Sequence, residues 1–180
     1  MLGILRILEA SGGRILIDGQ DISKLSLEEL RSNINIILQE HFMFTGTVKE
    51  NVDPTGVHSD TEVEEALKLC GIWDVFSNLD GVNTEVTEGG SNLSAGEKQL
   101  LNITRSLLNP KQIILIDEAT ASIDFETDVI VQKVIKQQFA NQTVLTIAHR
   151  INTVVHSDRI LVLSKGEILE FDKPEVLLSQ

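Results

Sequence analysis

Short apolar or β-branched runs alternate along the chain with stretches in which apolar residues recur every three to four positions, the pattern of an α/β fold with a largely parallel sheet. Four runs read as strands. Arg14-Ile-Leu-Ile-Asp18 stops at Gly19 and predicts a strand closing in a turn. Asn33-Ile-Asn-Ile-Ile-Leu38 delivers Gln39, Ile113-Ile-Leu-Ile116 delivers Asp117 and Glu118, and Thr143-Val-Leu-Thr-Ile-Ala148 delivers His149. The third run is apolar on both faces, as a central parallel strand should be. These polar residues therefore fall just past strand C-termini, the edge of an open α/β sheet where ligands bind.

Helical signals take over between Phe44 and Asn109. Ser59 and Glu62 have capping-box spacing and precede Val63, Ala66, Leu67 and Cys70 on one helical face, with Gly71 as a stop. Ser94 and Glu97 repeat the spacing before Leu100, Leu101, Ile103, Leu107 and Leu108, and Pro110 ends the run. Ile160-Leu-Val-Leu163, Ser164-Lys-Gly166 and Ile168-Leu169 predict a hairpin, with a short helix after Pro174. Met1 to Glu9 read as a helix already under way, without an N-cap. The pattern divides a single domain of residues 1–180 into an α/β core, formed by 1–43 and 110–180, and a helical insertion over 44–109.

Composition narrows the partners. With 15 Lys and Arg against 27 Asp and Glu, the net charge is −12, which argues against nucleic acid, where affinity comes largely from cationic side chains. A hydrophobic share of 42% with 23% charged residues is that of a folded domain, and a single domain of this length buries roughly 70% of its unfolded surface. The lone Cys70 cannot form an internal disulfide. No window approaches the ~18 apolar residues of a spanning helix.

The chemistry-bearing residues each admit two readings when taken singly. Asp117 can hold Mg²⁺ and Glu118 can orient or deprotonate a water, yet strands often leave a core through acidic residues. Ser94 with Gly96 makes an anion site at a helix N-terminus, or an ordinary cap. Gln39 could ligate Mg²⁺ through its amide oxygen or be an exposed amide. His149 could sense a phosphate or lie on the surface, and Asp124 could form an Asx turn or cap the next helix.

In this order, however, the residues resemble the nucleotide-binding domain of ATP-binding cassette (ABC) transporters over nearly the whole chain. Gln39 matches the Q-loop, Leu93-Ser-Ala-Gly-Glu97 the family signature, Ile113 to Glu118 the Walker B strand, Ala121 to Asp124 the D-loop and His149 the switch histidine. Ser11 to Gly19, Gly46 to Pro54 and Glu85 to Leu93 look most like the second such domain of the multidrug-resistance-associated (C) subfamily. The resemblance implies a P-loop NTPase, RecA-like fold with a mostly parallel sheet and a helical subdomain over 44–109. It also implies ATP and Mg²⁺ as cofactors. Asp117 and Gln39 would hold Mg²⁺, Glu118 would be the general base and His149 would contact the γ-phosphate. Ser94, Gly96, Glu97 and Asp124 would belong to the nucleotide-binding face. Implied partners are a second nucleotide-binding domain, packed head to tail, and transmembrane domains, with the domain on the cytoplasmic face of a membrane and no nucleic acid bound.

The chain departs from the family in having no Gly-Lys pair, hence no Gly-x-x-x-x-Gly-Lys-Ser/Thr phosphate loop (Walker A), and no tyrosine. Its only tryptophan, Trp73, falls in the helical insertion, so the family's N-terminal adenine-stacking aromatic is also missing. The expectation is a domain without its N-terminal strands and phosphate loop, inactive alone, whose Ile113–Ile116 strand lacks a neighbour on one side. Ala95 stands where the signature most often has Gly, and Glu97 replaces the common Gln, which would weaken binding in trans without abolishing it. The alternative is a non-catalytic interaction module that supplies only the signature face to a partner. Chromosome-maintenance and DNA-repair ATPases share these motifs, but a long coiled coil separates the halves of their heads, whereas Gln39 and Ser94 are only 55 residues apart here.

Overall fold

A computed structural model describes residues 1–40, 42–117, 123–148 and 150–179, except the side chain of Asn152. It divides into two compact units, Met1–Leu145 and Thr146–Gln180.

In the first unit, β1 (Leu16–Ile17) and β2 (Gln20–Asp21) form a small antiparallel hairpin. Asp18 and Gly19, both at positive φ, make its turn. The run at Arg14–Asp18 thus closes in a turn, as its pattern predicts, and stands outside the parallel sheet: the tight turn returns the chain at once, leaving no length for the crossover that parallel pairing requires. After a 3-10 turn at Ile22–Lys24 come α1 (Leu27–Ser32) and β3 (Ile34–Ile37). β4 (Gly46–Thr47), α2 (Val48–Val52), α3 (Asp60–Leu69), α4 (Trp73–Ser77), β5 (Glu85–Val86) and α5 (Ala95–Leu108) follow. β6 (Ile113–Asp117), α6 (Phe125–Gln138) and β7 (Thr143–Ile147) come next in chain order. The predicted capping boxes at Ser59/Glu62 and Ser94/Glu97 both form, and a third closes α2 through Thr47 and Glu50. β4 and β5 pair with each other over two residues each, too short for any periodicity to announce.

The main sheet has the order β3-β6-β7, with β3 parallel to β6. At the side of β6 away from β3, the Thr143 N–H at the start of β7 donates to the Gln112 carbonyl just before β6, at 2.9 Å. Ile113–Ile116 pair residue by residue with Ile34–Ile37 of β3, while their contact with β7 is sparse. Ile114 and Ile116 join one apolar cluster with Leu67, Phe76, Leu101 and Val131, while Leu115 joins a second with Leu5, Ile22, Leu30 and Ile34. That alternation is a strand buried on both faces.

The N-terminal helix expected over Met1–Glu9 is absent, replaced by turns. The carbonyls of Leu5 and Arg6 instead accept from the Arg31 guanidinium, at 3.0 and 3.3 Å. Arg6 takes a positive φ and donates to the carbonyls of Ile22 and Leu25. Leu5 alone from this segment is fully buried.

The second unit holds α7 (Ile151–Val154), the predicted antiparallel hairpin β8 (Ile160–Ser164) and β9 (Glu167–Asp172), and α8 (Pro174–Leu177). Lys165 and Gly166 make the hairpin turn with positive φ, and Arg159 lies 5.3 Å from the Phe171 ring centroid.

Candidate functional site

The parallel register of β3 and β6, with Ile37 opposite Ile116, brings two strand ends to one sheet edge. Half-buried Asp117 is the last residue of β6, and exposed Gln39 lies two residues past β3. Among the predicted residues, Glu118 and His149 lie outside the described residues, as do the first residues of the Ala121–Asp124 stretch.

A carboxylate and an amide oxygen at the same edge are hard donors. This set suits Mg²⁺, which is usually held by one or two carboxylates with phosphate and water completing its shell. Among the described residues no group of three or more His, Cys, Asp or Glu could hold a metal ion.

The second part of the site is the start of α5. Ser94 sits at the N-cap in extended conformation, its Oγ accepts from the Glu97 N–H at 3.2 Å, and the Glu97 carboxylate accepts from the Ser94 N–H at 2.8 Å. The Glu97 carboxylate is thus turned onto the beginning of its own helix. A serine hydroxyl that accepts in this way keeps its own proton to donate, and the first-turn N–H groups make the end of the helix favourable to anions. Lys98 donates to the Gly89 carbonyl at 2.9 Å, tying the loop before the helix to its first turn.

Gly96 is buried, and the structure supplies a reason that spacing did not. A Cβ there would overlap the Thr127 methyl and lie 3.1 Å from both Thr127 Cβ and Oγ1. Thr127 is in the first turn of α6, whose N-cap is Asp124. The two Asp124 carboxylate oxygens accept from the Thr127 N–H at 3.0 Å and the Thr127 hydroxyl at 2.7 Å. These two bonds hold the Asp124 carboxyl below the usual carboxylate range. Of the two readings open for Asp124, the structure shows the cap. The beginnings of α5 and α6 therefore meet at the Gly96–Thr127 contact. Sequence reasoning missed Thr127, whose only signal was its place three residues after Asp124.

Residues 2–121 match the ABC transporter family. The chain belongs to that family. This ABC transporter chain is 48% identical over 179 residues to ATP-binding cassette sub-family C member 10 of Mus musculus, covering 99% of the chain and 12% of that relative. It is 44% identical over 179 residues to Multidrug resistance protein mrp-7 of Caenorhabditis elegans, again covering 99% of the chain and 12% of the relative. A bacterial Atm1-family ABC exporter solved with ATP bound matches with a TM-score of 0.90 and 36% identity over 99% of this chain and 32% of that one. The chain has the α/β P-loop NTPase fold of an ABC nucleotide-binding domain, and it spans only about an eighth of the length of these curated relatives. Among the described residues, no helix is long and apolar enough to cross a membrane.

Proposed function

We propose that this chain is the ATP-binding and hydrolysing part of an ABC exporter, working on the cytoplasmic face of a membrane with transmembrane domains and a second nucleotide-binding domain packed head to tail. The observation that carries the reading is the β3–β6 register, which sets Gln39 and Asp117 at one sheet edge. Asp117 and Gln39 would hold Mg²⁺, which when bound neutralises charge on the phosphates. Glu118, next in sequence to Asp117, takes the proton of the attacking water, and His149 contacts the γ-phosphate. Ser94, Gly96, Glu97 and Asp124 form the face that closes over a nucleotide held by the opposing domain. Residues 44–109 act as the helical subdomain that carries this face, and 1–43 with 110–180 as parts of the core.

Residues 1–180 contain no Gly-Lys loop to neutralise a triphosphate, so alone they bind ATP weakly and do not turn it over. The intact capping box at Ser94 also suits a second reading, a non-catalytic module offering the signature face to a partner's nucleotide.

Titration of the chain with a fluorescent ATP analogue and Mg²⁺ should show no saturation at micromolar concentration. Fused behind a strand and loop carrying Gly-x-x-Gly-x-Gly-Lys-Ser, it should bind and hydrolyse ATP. Glu118→Gln should then keep binding and cut turnover by ~10²–10⁴-fold, the usual contribution of a positioned base. Turnover within a few-fold of the parent would remove Glu118 from that role. A fused protein that binds without any turnover would favour the non-catalytic reading.

A further inference from the structure

Arg105 lies eleven residues after Ser94 on α5, about 16 Å along the same helix at 1.5 Å per residue. Its guanidinium is half-buried, and burial lowers its pKa from the ordinary arginine value. Among the described residues no carboxylate pairs with it within ion-pair distance. Its three donor groups instead reach neutral acceptors: Nε the Asn51 carbonyl, Nη2 the Phe42 carbonyl at 3.1 Å, and Nη1 the Asn102 side-chain oxygen at 3.0 Å. A desolvated guanidinium used in this way fixes backbone geometry and does not neutralise charge.

The segment it grips is held at two further points. Fully buried Asn51 accepts from the Phe44 N–H at 2.8 Å and donates to the carbonyls of Phe44 at 2.9 Å and Thr47 at 3.0 Å. Buried Met43 fills the space beside Gly90, where a Cβ would come within 2.9 Å of Met43 Cγ and 3.1 Å of Lys98 Cε. Phe42, Met43 and Phe44 follow Gln39 by three to five residues. The loop leaving the candidate magnesium ligand is thus clasped to the body of the signature helix and to the loop before it.

We propose that Arg105 is a positioning residue. Through Asn51 and the Phe42 carbonyl, it locks residues 42–44 to α5, so that the Gln39 loop and the Ser94 end of the helix move as one body. The functional sense of this coupling rests on the nucleotide-binding reading above; the clasp itself does not, and it is tested without nucleotide.

The test is amide hydrogen exchange on the 180-residue chain, comparing wild type with Arg105→Lys, which keeps the charge but not the three-way fork. Exchange over residues 42–47 should accelerate at least tenfold, with the Phe44 amide foremost, while amides in the middle of α5 and in α3 keep their wild-type rates. Asn102→Ala, a milder change that removes only the acceptor orienting Nη1, should accelerate the same segment by a smaller factor and serves if the lysine variant does not fold. Less than threefold acceleration in 42–47 overturns the proposal. So does equal acceleration in α3 and α5, since a merely structural role would loosen the whole unit together. Saturable ATP binding by the chain alone, with the clasp intact, would revise the functional reading and leave this proposal standing.

Discussion

Gly96→Ala isolates the packing between the beginnings of the two helices. An added Cβ would overlap the Thr127 methyl. Thr127 is β-branched and stiff at χ1, and its hydroxyl is tied to Asp124 at 2.7 Å, so it can move aside only by giving up that bond. Overpacking of a buried site costs ~1–3 kcal/mol, and loss of the hydrogen bond as the route of escape costs ~0.5–1.5 kcal/mol. Against this, replacing Gly by Ala in a helix gains at most ~1 kcal/mol. The net expectation is a loss of about 1 kcal/mol, or ~2–4 °C in Tm for a chain of this size. Thr127→Ser supplies the control, because serine keeps the hydroxyl for Asp124 and removes the methyl that the new Cβ would strike. In the Thr127→Ser background, Gly96→Ala should turn neutral or stabilising, giving a coupling of about 1 kcal/mol or more in a double-mutant cycle read by urea denaturation. If Gly96→Ala stabilises wild type by the same amount as it stabilises Thr127→Ser, the contact does not constrain residue 96, and glycine is there only for the approach of a ligand.

Ser94→Ala should cost ~1 kcal/mol in thermal or urea unfolding through loss of the cap on the Glu97 N–H, with Ser94→Asp recovering most of it. Cys70 is fully buried, and burial pushes its thiol up to about 11 from 9.0. The native chain should therefore resist maleimide at pH 8. Because this folded pKa is raised, the contribution is fully present below pH 9 and is lost as pH rises toward 11; at ~1.4 kcal/mol per unit it amounts to about 3 kcal/mol. Cys70→Ala should flatten that part of a stability–pH curve. Asp124 titrates the opposite way: its folded carboxyl is depressed by the two bonds from Thr127, so its contribution is present above pH 4 and fades as the solution is acidified below it. Asp124→Asn should make stability less sensitive to acidification below pH 4. Finally, Leu163, Ile168, Leu169 and Phe171 on the β8–β9 hairpin are each more than half exposed, so the chain alone should bind an apolar dye in its native state and unfold below ~65 °C. A dye-silent monomer with a higher transition would refute this.

What could be read along the chain is what local interactions decide. β3, β6 and the β8–β9 hairpin are legible as short apolar or β-branched runs, and α3 and α5 because a serine and a glutamate three residues apart satisfy the first N–H groups of a helix without help from elsewhere. That Gln39 and Asp117 would end at a sheet edge was equally local. Their meeting at one edge was not, since it depends on β3 pairing in parallel with β6. The same limit shows at the N-terminus. Nothing near Leu5 reveals that Arg31, 26 residues on, reaches its carbonyl. Gly96 and Arg105 likewise acquire their roles from Thr127 and Phe42, each tens of residues away. Hydrogen-bond donors and apolar faces can be counted from a sequence, but which acceptor or face each one meets is settled only when the chain closes on itself and every buried polar group must find a partner.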